Sequence, residues 1–228
     1  PLTVIAFKDD EATRNKISGI ERIRLGSLEP NLITEENIQR LSKLEKICHH
    51  FHLSLQSGSS SVLKRMNRKY TKEDILETVK NIRENFKDAI LTADIIVGFP
   101  GETEEEFSQT YELLEKIKLY KIHVFPYSKR NKTKAAEYKE QISSEVKEKR
   151  SKKIIELSNK LKEEYDKSYI GKDVDVLIEE KDGEYYKGHT KNYLYVGIKS
   201  KENIENKIVE VIIKKQGENL LIGEEQLV

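Results

Sequence analysis

The feature that most constrains this chain is an alternation. Short apolar runs at 22–25, 51–55, 90–97 and 121–127 are each followed by turn residues, and helical patterns occupy 34–47, 59–66, 71–86 and 103–119. Three of these helical stretches open on a capping signal: Thr34 is followed by Asn37, Thr71 by Asp74 and Thr103 by Glu106, which puts an acceptor beside free backbone amides. Strands separated by helices are parallel strands with crossovers. Four strands are too few for a closed eight-stranded barrel, so an open sheet or half a barrel is expected. In either case ligands gather at the carboxyl ends of the strands. Those ends read Gly-Ser-Leu-Glu-Pro at 26–30, Gln-Ser-Gly at 56–58, Gly-Phe-Pro-Gly-Glu-Thr at 98–103 and Pro-Tyr-Ser-Lys-Arg at 126–130.

The period then changes. Ile154, Leu157, Leu161 and Tyr165 form one helical stripe within 143–169. After Gly171 the repeat drops to two: Val174, Val176 and Ile178, then Leu194, Val196 and Ile198, then Val209, Val211 and Ile213, with turns at Asp182-Gly183 and Gln216-Gly217. About five short strands in this space predict a small antiparallel barrel. The expected organisation is therefore α/β: a partial (β/α) barrel over residues 1–140, a linking helix over 141–168 and a small barrel over 169–228.

Charge adds a direction. Lys and Arg number 41 against 40 Asp and Glu, a net +1, and by segment the balance is −1 for 1–128, +5 for 129–167 and −3 for 168–228. The basic excess is concentrated in the middle segment 129–167, and on its helix Lys147, Arg150 and Lys153 are candidates for facing phosphate; a solvated helix surface is the plain alternative. Tyr193 and Tyr195 of the small barrel are candidates for stacking on bases. No stretch approaches the roughly 18 apolar residues of a membrane span. The start, apolar and then at once charged, lacks the order of a secretory signal, so the chain reads as cytoplasmic. Its single cysteine, Cys48, excludes an internal disulfide and any all-cysteine metal site built from this chain alone. His49, His50 and His52 lack a further ligand pattern and read as packing and turn residues, as does His123 as a strand residue, so no metal site is expected.

Several segments together resemble the radical S-adenosylmethionine (SAM) methylthiotransferases of transfer RNA. They are Arg-Ile-Arg-Leu-Gly-Ser-Leu-Glu-Pro at 22–30, His-Leu-Ser-Leu-Gln-Ser-Gly-Ser at 52–59, Leu-Lys-Arg-Met-Asn-Arg-Lys-Tyr-Thr at 63–71 and Asp-Ile-Ile-Val-Gly-Phe-Pro-Gly-Glu-Thr at 94–103. Gly-Phe-Pro-Gly alone is a common turn; four segments in order, followed by a barrel of the right size, are specific. The resemblance covers about residues 19–228. It implies the later part of a radical SAM domain followed by a small barrel of the TRAM type, OB-like in shape, that holds RNA. The strand Lys-Ile-His-Val-Phe-Pro-Tyr-Ser-Lys-Arg at 121–130 is most similar to the branch acting on threonylcarbamoyladenosine next to the anticodon, with the isopentenyladenosine branch the nearer rival. A cluster-free RNA-binding module is the alternative from another class.

The resemblance implies SAM as cofactor, two [4Fe-4S] clusters in the intact protein and the tRNA anticodon stem-loop as partner. Candidate SAM contacts are Glu29, for the ammonium or ribose; Gln56 and Ser57, for an adenine edge, with helix capping the alternative for Ser57; and Arg68, for the carboxylate, with Arg65 or a structural ion pair as alternatives. Asp94 is a carboxylate in an apolar strand, which is costly unless it faces a polar site, and Phe99 is placed to pack beside adenine.

Two departures stand out. The family's Gly-Thr-Pro-Ala-Ala-like turn is replaced by Lys-Thr-Lys-Ala-Ala at 132–136, and residues 1–18 do not match the family, whose Cys-x-x-x-Cys-x-x-Cys loop is absent. The reading is of a segment of a longer protein, or of one with stretches missing, that does not catalyse by itself and whose open sheet edge invites self-association. Iron analysis of the purified chain should therefore find far less iron than a cluster requires; stoichiometric iron with reductive release of 5′-deoxyadenosine from SAM would overturn this.

Overall fold

The computed structural model describes residues 3–4, 16 and 18–226. Most of the stretch 1–18, on which the reading of the chain's start rests, lies outside them. Strand β1 (Thr3–Val4) pairs in parallel with β2 (Arg24–Leu25). The main sheet is parallel throughout, in the order β3 (Ser27–Leu28), β4 (His50–Gln56), β5 (Ile90–Val97), β6 (Lys121–Pro126). Helices α1 (Glu35–Ser42), α2 (Ser60–Arg65), α3 (Lys72–Asn85) and α4 (Glu104–Ile117) make the crossovers.

The capping signals are used as the sequence suggests. Thr34, Thr71 and Thr103 each accept from the amide three residues on, and Asp74 and Glu106 return the bond to the capping residue's own amide. Helix α1 ends at Ser42 rather than at 47. Leu44 and Ile47 continue the apolar spacing, but Ile47 is drawn into a parallel bridge with Ile23 and belongs to the sheet.

Each strand sends alternate side chains to opposite faces. Phe51, Leu53, Leu55, Leu91, Ala93, Ile95 and Ile122 are buried in the core that the helices cover. The other face carries His50, His52, Thr92, Asp94, Lys121 and His123 and stays partly open.

The expected linking helix is α6 (Ser144–Lys167), preceded by the short α5 (Lys134–Glu137). It is no free linker. Ile154, Leu157 and Leu161 join the main core, and the Ser158 hydroxyl accepts the Ile122 amide at 3.0 Å. At its other end Tyr165 and Tyr169 pack with the core of the second unit.

That unit is a closed five-stranded barrel, ordered β10 (Ile208–Gln216), β11 (Leu221–Glu225), β9 (Tyr195–Ile198), β8 (Tyr185–Thr190), β7 (Asp173–Asp182). The expectation of an antiparallel barrel needs one amendment: β9 and β11 are parallel. An odd number of strands cannot alternate direction all the way round a closed ring, so at least one neighbouring pair must run the same way. Gly188 serves this curvature, since a Cβ there would meet the Leu177 carbonyl oxygen at 1.8 Å.

Arg150 was a phosphate candidate, but it lies inside the protein. It is 5% exposed, and its guanidinium donates to the Glu102 carboxylate at 2.7 Å and carbonyl at 3.1 Å and to Glu104 at 3.2 Å. Removing one partner of a buried pair strands the other charge. Arg150→Ala should therefore lower stability by about 3–5 kcal/mol in urea denaturation; an unchanged midpoint would mean that the pair is not what holds the helix.

Candidate active site

At the carboxyl ends of β4, β5 and β6 the structure opens a cleft of about 560 Å³, lined by Gln56, Arg68, Asp94, Phe99, Tyr127 and Arg130 among others. Local backbone choices aim these side chains. Gln56 ends β4 in the left-handed region at φ 63°, and Asn67 turns the chain after α2 at φ 59°, so that the Arg68 amide bonds back to Leu63. Gly98 leaves β5 at φ 70°, and its amide donates to the Glu102 carboxylate at 2.7 Å; a Cβ on Gly98 would meet the Lys147 side chain at 2.2 Å. The turn it begins carries Phe99, whose ring lies edge-on to Tyr127 at 5.3 Å.

Four of the six cofactor candidates thus meet: Gln56, Arg68, Asp94 and Phe99. Glu29 reaches the cleft only through Arg68, to which it is bonded at 2.5 Å. Ser57 does not join them. It is fully buried, shares a hydrogen bond with Thr110 at 3.1 Å and accepts the Ser59 amide in a local turn before the helix, which has no side-chain cap. Arg65 is likewise engaged, with Glu106 at 2.6 Å. Its ion pair holds the Glu106 carboxyl down at about 2. One group was missed: Tyr127 lines this cleft, and its hydroxyl is buried without a hydrogen-bond partner among the described residues. A tyrosine closing a strand next to Phe99 was the available signal.

Comparisons with known proteins identify the family. The model of the radical SAM superfamily matches residues 3–114. A tRNA-2-methylthio-N(6)-dimethylallyladenosine synthase of Acetivibrio thermocellus is 42% identical over 87% of this chain and 42% of its own length. The threonylcarbamoyladenosine tRNA methylthiotransferase MtaB of Bacillus subtilis is 41% identical over 89% of this chain and 46% of its own. This chain belongs to the radical SAM methylthiotransferase family. It spans less than half the length of either relative. Among solved structures, coproporphyrinogen III oxidase (HemN) of Escherichia coli superposes with a TM-score of 0.52 at 20% identity, over 61% of this chain and 32% of that one, a likeness of fold alone. The superfamily match begins at residue 3, so the stretch 1–18, which carries none of the quoted motifs, falls mostly within it.

In this chain the five RNA candidates do not form one surface. Lys147 lies against Gly98 and donates to the Tyr127 carbonyl at 3.0 Å, and Arg150 is buried. Lys153 alone of the three basic residues remains half exposed, near Glu104 and over the Phe107 ring. Tyr193 and Tyr195 line a second cavity, of about 800 Å³, between the amino-terminal ends of the strands and the barrel. Lys162 also lines it, and from Lys147 to Lys162 the helix advances about 22 Å. The ring of the candidate stacking residue is already occupied: Tyr193 stacks on His50 at 4.5 Å and on His189 at 4.2 Å, with the Arg24 guanidinium 4.2 Å from its ring centre. Tyr195 is tied by its hydroxyl to Glu180 at 3.0 Å. No helix among the described residues is long and apolar enough to cross a membrane.

Two histidines at the start of β4 are engaged with their neighbours. His49 pairs with Asp88 at 2.5 Å. His50 is 4% exposed; burial first, then Arg24 and the neighbouring imidazoles, push its pKa from 6.5 to about 3. Its folded pKa lies below its unfolded one, so its contribution to stability is complete above pH 6.5. Between 6.5 and about 3 the unfolded chain takes up a proton that the folded chain refuses, and the contribution is lost. Melting temperature should therefore fall on acidification through this window more steeply in the parent than in His50→Gln. Parallel curves would show that His50 is not a source of acid sensitivity.

Proposed function

We propose that this chain is the cofactor-orienting and RNA-contacting part of a tRNA methylthiotransferase that converts N6-threonylcarbamoyladenosine next to the anticodon to its 2-methylthio derivative. The observation that carries the reading is the cleft at the strand ends, which gathers Gln56, Arg68, Asp94 and Phe99 from separate segments of the chain beside a hydroxyl that lacks a partner.

That donor set suits SAM. The guanidinium of Arg68 can exchange Glu29 for the amino-acid carboxylate, Asp94 can accept from the ammonium or the ribose hydroxyls, and the Phe99–Tyr127 wall offers an apolar seat for adenine. When bound, SAM supplies the methyl group and the equivalent that abstracts hydrogen. The chain's own residues bind and orient it.

An iron–sulfur cluster does not fit the residues present. Cys48 is the only cysteine, it is buried, and no group of three or more histidine, cysteine or acidic residues among the described ones could hold a metal. The clusters that the family implies would be held elsewhere in the intact protein.

The choice of nucleoside rests on the cleft's rim. Arg130 lines the cleft, and its side chain is bonded to no carboxylate among the described residues. A threonylcarbamoyl group brings a carboxylate that a guanidinium grips. A second reading, dimethylallyladenosine, is favoured by Phe125, which is 49% exposed in the same cleft and suits an apolar prenyl group, and by the name of the Acetivibrio relative.

The test is nucleoside mass spectrometry of tRNA from cells lacking methylthio modifications that are given the protein carrying this chain. Methylthiolated threonylcarbamoyladenosine is expected, and Arg130→Ala should lower its yield. The dimethylallyl product would favour the second reading, and neither product would refute both. For the cofactor, Arg68→Ala should weaken SAM binding by about 1.5–3 kcal/mol in calorimetry, the range for a hydrogen bond to a charged group; unchanged affinity would remove Arg68 from the site.

A further inference from the structure

The polar face of the sheet carries a row of close polar contacts that leads into the cleft, two hydrogen bonds followed by an ion-pair contact. His50 Nε2 lies 3.1 Å from Thr92 Oγ1, His52 Nδ1 lies 2.8 Å from the same oxygen, and His52 Nε2 lies 3.2 Å from Asp94 Oδ2. The strand register sets this up, for His52 and Thr92 are directly paired on β4 and β5, and Asp94 follows two residues on along the same face. Among the described residues, His52 is the only side chain within hydrogen-bonding distance of the Asp94 carboxylate.

The tautomers of the two rings set the direction of these contacts, and one assignment suits all the partners. An ionised carboxylate only accepts, so His52 Nε2 carries the hydrogen. In a neutral ring Nδ1 is then an acceptor, and the Thr92 hydroxyl must donate to it. The hydroxyl oxygen in turn accepts from His50 Nε2, and this leaves His50 Nδ1 as a bare lone pair. His50 Nδ1 is indeed buried without a partner, and burial keeps that ring unprotonated. An orphaned acceptor is tolerated more readily than an orphaned donor. In that assignment the two hydrogen bonds run towards His52, whose Nε2 faces Asp94, and bonds polarised in one sense strengthen one another. The far end is fixed from the barrel, because Tyr193 is stacked on His50.

We infer that His52 is a positioning residue for the cofactor site: backed by Thr92 and His50, it holds the Asp94 carboxylate in the orientation that meets the SAM ammonium or ribose. This rests on the cleft being the SAM site. It does not follow from the sequence motif, where His52 reads as a packing residue.

The experiment is a set of SAM affinities, by calorimetry on the full chain, for His52→Ala, His52→Gln, Thr92→Val, Asp94→Asn and the double variant His52→Ala/Asp94→Asn, with thermal melts to confirm folding. His52→Ala should weaken binding about tenfold, the loss of roughly one hydrogen bond to a charged group. His52→Gln, which can restore an N–H at the same place, should recover most of that loss. Thr92→Val keeps the strand packing and removes only the hydroxyl, and should shift affinity in the same direction by less. Adding His52→Ala to Asp94→Asn should change affinity no further, because neighbours acting through one bond are not additive. Parent-like binding by both His52→Ala and Thr92→Val, or full additivity in the double variant, would overturn the inference while a weakened Asp94→Asn left the cofactor site standing. Parent-like binding by Asp94→Asn would overturn both.

Discussion

The Glu102 carboxylate is where the structure is tied together. Two donors converge on it inside the protein, the Gly98 amide at 2.7 Å and the Arg150 guanidinium at 2.7 Å, while Arg150 reaches further to the Glu102 carbonyl and to Glu104. Burial pushes the Glu102 carboxyl up, and those two donors oppose the shift. One end of this knot is the turn that aims Phe99 into the cleft, and the other is the long helix α6. That helix seals the edge of the sheet through Ser158 and carries the barrel on its far end. The shape of the site and the placement of the second unit therefore depend on the same buried charge pair.

The barrel is attached by polar contacts as well as by its apolar core. Arg22 donates to the carbonyls of His189 and Asp175, the His49 amide to the Lys191 carbonyl, and the Asn192 amide group to the Asp88 carbonyl and the Tyr169 hydroxyl. These partners occupy the amino-terminal ends of the strands. The barrel thus closes the end of the sheet opposite the cleft at the carboxyl ends of the strands. The polar row from His50 to Asp94 is the direct physical connection between the two ends.

Much of this was legible in the order of the residues. Parallel strands with crossovers, the three capped helices, the stripe of α6 and the change to a period of two follow from local rules: apolar spacing selects an element, a hydroxyl three residues before an acid starts a helix, and a glycine turn ends a strand. The family motifs fall on the strand ends, and four of the six proposed cofactor residues share one cleft. The places where local reading misled are instructive. Leu44 and Ile47 keep a helical spacing, yet Ile47 pairs with Ile23. Basic residues of α6 suggested a phosphate surface, yet Arg150 is buried and Lys147 is spent on the Tyr127 carbonyl.

What the sequence by itself determined is which elements form and which strand ends hold chemistry, because periodicity, capping and turn residues act over a few positions. Only the tertiary structure decided what each polar side chain meets. Ser57 turned inward to Thr110, Tyr193 between two imidazoles, and His52 onto Asp94 are pairings across 53, 143 and 42 positions of sequence, in the case of Tyr193 as far as His50. A buried polar group must find its partner wherever the fold brings one. That partner is fixed by strand register and helix docking, which no local pattern encodes.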